Sequence, residues 1–221
     1  MLPSRHWSAF ESAFGWYTQN LFRRRFAAFH VRGNLPAPDA PLIMACQHVA
    51  WWDPLVIYHL SRVWFPGQAR HDVMMDEVNL KKLGFFRWIG AFGVDRTTRA
   101  GAAAGLRHSL ALLEIPNLRL GIYPQGKQES MDKRPLTVAP GASWLAARAG
   151  VPFCPIAVRY EHIEREWPEV FVSIGTPRHV EPGTERLEQD PIIAGITQEA
   201  DGLRDDVHAR RFDGFTTLQK P

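Results

Sequence analysis

Apolar residues recur along this chain in two periods: short runs of strand character and longer stretches at helical spacing. Trp7, Phe10, Phe14, Tyr17 and Leu21 stand three and four positions apart, and Phe22, Phe26 and Phe29 continue a neighbouring stripe. That spacing predicts an amphipathic helix over residues 7–29. Residues 33–41 are rich in proline and glycine and read as a loop. Leu42–Cys46 reads as a short buried strand, and residues 54–63 as a helix opened by Pro54. Residues 71–75 read as a strand, 79–88 as a short helix and 90–96 as a glycine-punctuated turn or short strand. A helix over 100–114 is closed by Pro116, and a strand follows over 118–123. Ala142–Ala149 reads as a helix ending at Gly150. Strands over 153–160, broken at Pro155, and 170–174 precede a helix over 192–212.

Strands that alternate with helices predict an α/β fold: a single domain with a mixed, mostly parallel sheet flanked by helices, preceded by the N-terminal amphipathic helix. Residues 1–29 form the helical segment and 30–221 the main domain in this reading. In such sheets ligands gather at the carboxyl ends of the strands. His48 and the turn from Tyr123 to Gly126 both follow expected strands, so they are expected to meet at one edge.

Composition narrows the picture. The 221 residues are 45% hydrophobic and 22% charged, which suits a folded domain with a real core. The net charge of +3 is small, and the basic cluster Arg23, Arg24 and Arg25 lies among aromatics, so nucleic acid is not the expected partner. Thirteen Phe and eight Trp are many for this length, and arginines beside an aromatic helix face suit a membrane surface as well as they suit packing on the protein's own core. No run reaches the ~18 apolar residues that span a bilayer, and no signal-peptide pattern opens the chain. Cys46 and Cys154 sit in separate apolar runs and predict no disulfide framework. The scattered histidines form no metal-ligand spacing, so no metal is expected.

Four segments carry candidate chemistry. His48 and Asp53 stand five positions apart at a strand-to-helix turn. A neutral imidazole takes a proton from a hydroxyl at neutral pH, and a carboxylate holds it in the right tautomer. The residues alone leave Asp53 two duties, capping the helix or orienting His48. Cys46, two positions before His48, offers a Cys/His pair or simply a small buried hydrophobe. Arg96 ends a glycine-rich segment and offers a fork for phosphate or carboxylate, or a surface pair with Asp95 or Glu77. Tyr123, Pro124, Gln125, Gly126 and Lys127 form a strand-end turn with free N–H groups and one ammonium, which suits an anion. Val151, Pro152, Phe153, Cys154 and Pro155 read as a wall or core strand, with the two prolines implying an edge or a sharp bend.

In order and spacing these segments resemble the glycerolipid acyltransferase superfamily, which includes the lysophosphatidic acid acyltransferases. That family carries an Asn-His-x-x-x-x-Asp block, a Gly-rich block ending in Arg, a Phe-Pro-Glu-Gly-Thr block and a Val-Pro-x-x-Pro block. Here they correspond to Gln47 to Asp53, Gly90 to Arg96, Tyr123 to Lys127 and Val151 to Pro155, within roughly residues 30–180. The resemblance implies an acyltransferase domain that moves an acyl group from an acyl-CoA or acyl-carrier-protein thioester to a hydroxyl of a lysophospholipid or related lipid-like alcohol. It implies His48 as general base and Asp53 as its orienting partner. Arg96, Tyr123, Pro124, Gln125, Gly126 and Lys127 would hold the acceptor, and no cofactor beyond the thioester co-substrate is needed.

It also implies a cytoplasmic protein, peripheral on the inner face of a membrane. Gln47 stands for the usual Asn, a mild change, whereas Gln125 for the usual Glu and Lys127 for the usual Thr predict that the acceptor is not ordinary lysophosphatidic acid but another lipid-like or glycosylated alcohol. The same fold without catalysis, as a lipid-binding or membrane-recruitment protein, is the rival reading.

Overall fold

The computed structural model describes residues 1–65, 67–137, 139, 141–183 and 190–219. Its centre is an eight-stranded sheet. The strands are β1 (Ala28–Arg32), β2 (Leu42–Cys46), β3 (Arg70–Asp76), β4 (Ala91–Val94), β5 (Leu118–Ile122), β6 (Phe153–Glu161), β7 (Glu169–Ile174) and β8 (Thr216–Gln219). The helices are α1 (Ser8–Arg25), α2 (Asp53–Val63), α3 (Glu77–Lys82), α4 (Arg99–Leu112), α5 (Ala142–Ala149) and α6 (Pro191–His208), with a 3-10 helix at Gly84–Ile89. The spatial order is β4-β3-β5-β2-β6-β7-β1-β8. The β4–β3–β5–β2–β6 stretch is parallel throughout, β7 and β8 join antiparallel to β6 and β1, and β1 runs parallel to β7. The α/β, mostly parallel expectation therefore holds.

The sheet is covered on both faces, and the strand sequence shows why. All of β2 is buried. Met44 and Cys46 face the cluster formed with Phe22, Phe29 and Leu60, while Ile43 and Ala45 face Leu120, Leu145 and Ile196. Alternating side chains on a strand buried on both sides must all be apolar, so the run is continuous rather than alternating.

Several expectations need correction. The helix over residues 7–29 ends at Arg25, and Ala28–Arg32 is a strand paired with β7. Phe29 keeps helical spacing but is fully buried at the heart of that strand, so tertiary burial overrides the local pattern. The buried side of α1 is Gly15, Thr18 and Phe22, whereas Trp16 and Tyr17 are exposed. Gly15 sets this rotation, because a Cβ there would meet Arg62 Nε of α2 at 2.2 Å. The second correction concerns residues 79–88, which are not one helix. Asp76 caps α3 at Glu77, and the 3-10 helix follows.

The third concerns the prolines after Val151. They do not mark an edge, since β6 lies between β2 and β7. Pro155 pairs with Ala45 on the β2 side, while pairing with β7 begins one residue later at Ile156 with Ile174. The missing N–H thus falls where the β7 ladder has not yet started. The long C-terminal helix also stops earlier than residue 212, at His208, and β8 was not expected at all.

Candidate active site

Strands β2 and β5 are parallel neighbours, with Ala45 level with Ile122. Their carboxyl ends therefore stand side by side, and the loops that leave them carry His48 and the Tyr123 turn to one place. The Tyr123 ring packs against His48 at a centroid distance of 4.5 Å.

His48 lies on the loop before α2. Its Nδ1 is 2.8 Å from Asp53 Oδ2. The same oxygen accepts the backbone N–H groups of Val49 at 2.6 Å and Ala50 at 2.8 Å. Asp53 Oδ1 accepts the Tyr160 hydroxyl at 2.7 Å. An oxygen already accepting two N–H groups also takes the His48 proton, so Nδ1 carries hydrogen and Nε2 keeps its lone pair. Asp53 is wholly buried, while the His48 ring keeps an open edge.

Asp53 is the first residue of α2, and no side chain caps that helix. The capping reading is therefore wrong: the carboxylate folds back onto the loop that precedes it. Sequence reasoning missed Tyr160, which lies far along the chain and shares no motif with Asp53. Replacing Tyr160 with Phe removes one hydrogen bond to a carboxylate. The expected loss is about 1.5–3 kcal/mol, measurable by thermal unfolding, with a several-fold fall in turnover.

His48 opens onto a cavity of about 770 Å³. Its deep side is apolar. Met44, Gly121 and Val73 are level with one another across β2, β5 and β3. Gly121 has no side chain, so a groove runs over β5 between Met44 and Val73 up to Tyr123. Arg119, two positions before Gly121 on the same strand, is fully buried and donates to Pro36 O at 2.8 Å and Ala40 O at 3.1 Å.

Arg96 and Lys127 line the cavity beside Pro124 and Gly126, Asp72 and Asp76 line it too, and Lys127 Nζ lies 3.8 Å from Glu129 Oε1. The Arg96 guanidinium donates to Gly126 O, and a Cβ at Gly126 (φ 70°) would meet Arg96 Nη2 at 2.8 Å. The expected surface pairing of Arg96 with Asp95 or Glu77 does not form. Asp95 accepts from Thr97 and Thr98, and Glu77 holds Lys81.

Gln125 is the residue that goes elsewhere. It is buried and turned away from the cavity. Its Oε1 accepts the His48 backbone N–H at 2.5 Å, and its Nε2 donates to Glu129 Oε2 at 3.2 Å. Burial alone would raise the Glu129 carboxyl, but hydrogen bonds from Lys133 and Thr137 hold it at about 2. Cys46 also lines the cavity, yet its thiol points to Met44 O at 3.7 Å and burial pushes it well above its ordinary range. It is not a thiolate beside His48. Among the described residues no cluster of three or more His, Cys, Asp or Glu could hold a metal ion.

A protein-family model described as Acyltransferase matches residues 28–159, more than half of the chain. The chain belongs to the glycerolipid acyltransferase family. Membership makes it an acyltransferase, with an acyl donor and an acyl acceptor as its substrates. No curated protein matches the chain.

Proposed function

We propose that this protein is an O-acyltransferase that moves a fatty acyl group from an acyl-CoA or acyl-carrier-protein thioester to the hydroxyl of a lysophospholipid or related lipid-like alcohol. The observation that carries this reading is the His48–Asp53 pair. Its Nε2 is left for a substrate, beside a cavity lined mostly by apolar side chains, with Arg96 and Lys127 among the charged ones. His48 Nε2 takes the hydroxyl proton while the oxygen attacks the thioester carbonyl. Asp53 stabilises the imidazolium that forms. The tetrahedral intermediate then expels the thiolate, which takes the proton back from His48.

Arg96 and Lys127 fit a phosphate or a sugar head group alike. The expectation of an altered acceptor rested partly on Gln125. That side chain is spent inside the protein, so Lys127 alone now bears on it. The same fact weakens the non-catalytic reading, which drew on the altered third block. The acyltransferase domain would take in β1 from Ala28, and the exposed side of α1, with Trp16 and Tyr17, would serve as its membrane-facing surface.

Trp16 and Trp51 are 70% and 58% exposed, Trp51 at the cavity wall, and Arg23, Arg24 and Arg25 are exposed nearby in sequence. Such aromatic and basic residues favour a lipid interface, here the inner face of the cytoplasmic membrane. No helix among the described residues is long and apolar enough to cross a membrane.

The test is incubation with labelled acyl-CoA and a lipid extract, followed by mass spectrometry of the labelled product and assay of free thiol. Sustained absence of thiol release with any acceptor would sink the proposal. The groove gives a sharper expectation. A Cβ at Gly121 would already stand 3.2 Å from Val73 Cγ2. Gly121→Leu is expected to lower turnover of palmitoyl donors by about tenfold or more while short-chain donors stay within about twofold, as competition assays would show.

A further inference from the structure

We infer that Gln125, fixed by Glu129, is a positioning residue for the His48 base. This rests on the reading of His48 given above.

The His48 peptide is held from both sides. Gln125 Oε1 accepts its N–H at 2.5 Å, and Glu129 N–H donates to its carbonyl at 3.0 Å. The amide of Gln125 has only one orientation that fits. Its oxygen must face the His48 N–H and its nitrogen must face Glu129 Oε2, 3.2 Å away. Glu129 is itself fixed by Thr137 N at 3.0 Å, Thr137 Oγ1 at 2.5 Å and the Lys133 ammonium, with the Lys127 ammonium 3.8 Å away. Gln125 and Glu129 are both buried, and neither lines the cavity. Their contribution passes through the loop that carries His48.

This arrangement explains why glutamine stands in the third block. A carboxylate at position 125 could accept the His48 N–H, but its second oxygen would face Glu129 Oε2 at hydrogen-bond distance with no proton between them. An amide accepts on one side and donates on the other. The departure from the glutamate of the related block thus belongs to the support of the base and not to the acceptor pocket.

The variants Q125M, Q125E and H48A would be assayed beside the wild type, with thermal unfolding of each. Q125M keeps the length and loses both hydrogen bonds. Displacing a catalytic group by about 1 Å costs up to about 10²-fold. Q125M is therefore expected to lower kcat by about 10–100-fold, with KM for donor and acceptor within about twofold. Q125E adds a pH signature. Its introduced carboxyl has a raised pKa beside Glu129, and when protonated it imitates the amide. Its activity relative to wild type is expected to be low at about pH 8 and to rise several-fold towards about pH 5.5.

A flat Q125E-to-wild-type ratio, or a Q125M effect confined to KM, would overturn the inference. Should Q125M not fold, the Q125E ratio decides. If H48A keeps near-normal turnover, the reading of His48 fails. If H48A is inactive and Q125M keeps normal kcat, only the positioning role fails.

Discussion

Replacing His48 with alanine is expected to lower kcat by about 10²–10⁴-fold, the range for loss of a general base. The protein should remain folded, because the His48 ring borders the cavity and its hydrogen-bond partner, Asp53, keeps three other donors. The neighbouring Cys46 and Tyr123 cannot take over. The Cys46 thiol is held protonated by burial, and the Tyr123 phenol is pushed well above its usual range by burial. The check is steady-state kinetics with free-thiol detection, alongside circular dichroism. Near-normal turnover by a folded H48A protein would exclude the mechanism.

Asp53 separates orientation from stability. In Asp53→Asn, the amide oxygen can stay where Oδ2 accepts Val49, Ala50 and His48, and the amine then faces the Tyr160 oxygen. The fold survives, but the charge that stabilises the imidazolium is gone. The expected fall in kcat is about 10²–10⁴-fold, comparable to other dyads that lose this carboxylate. In Asp53→Ala, the Val49 and Ala50 N–H groups and the Tyr160 hydroxyl all lose their acceptor. Each orphaned donor costs about 1–3 kcal/mol, so the three together are expected to cost at least about 3 kcal/mol. At 2–4 °C per kcal/mol for a chain of this size, Tm should fall by about 10 °C. Equal Tm values for the two variants would mean that Asp53 does not organise the loop.

The sequence made the sheet legible where one rule acts alone. Leu42–Cys46 is apolar without a break because both faces are covered. Ala142–Ala149 was readable to the residue because Gly150 ends it with φ 65°. Where two rules compete, the pattern misleads. Phe22 and Phe26 keep helical spacing on either side of the point where α1 ends, Phe29 continues it into β1, and only the pairing of β1 with β7 decides. Thr216–Gln219 is too polar to announce a strand, and it forms because β1 offers an open edge.

The site divides in the same way. The meeting of His48 with the Tyr123 turn follows from strand order and could be foreseen. The direction of the Gln125 amide could not, since a turn residue is free to point in or out until Glu129 is placed. Tyr160 was invisible for a simpler reason: its partner lies 107 residues away.

That separation has a kinetic side. The dyad becomes rigid only when β6 has docked between β2 and β7. Parallel pairings of such distant segments close late, after most of the loop-closure entropy has been overcome. Rigidity of the His48–Asp53 pair should therefore wait on the docking of β6, and should be lost early when the C-terminal third of the chain loosens.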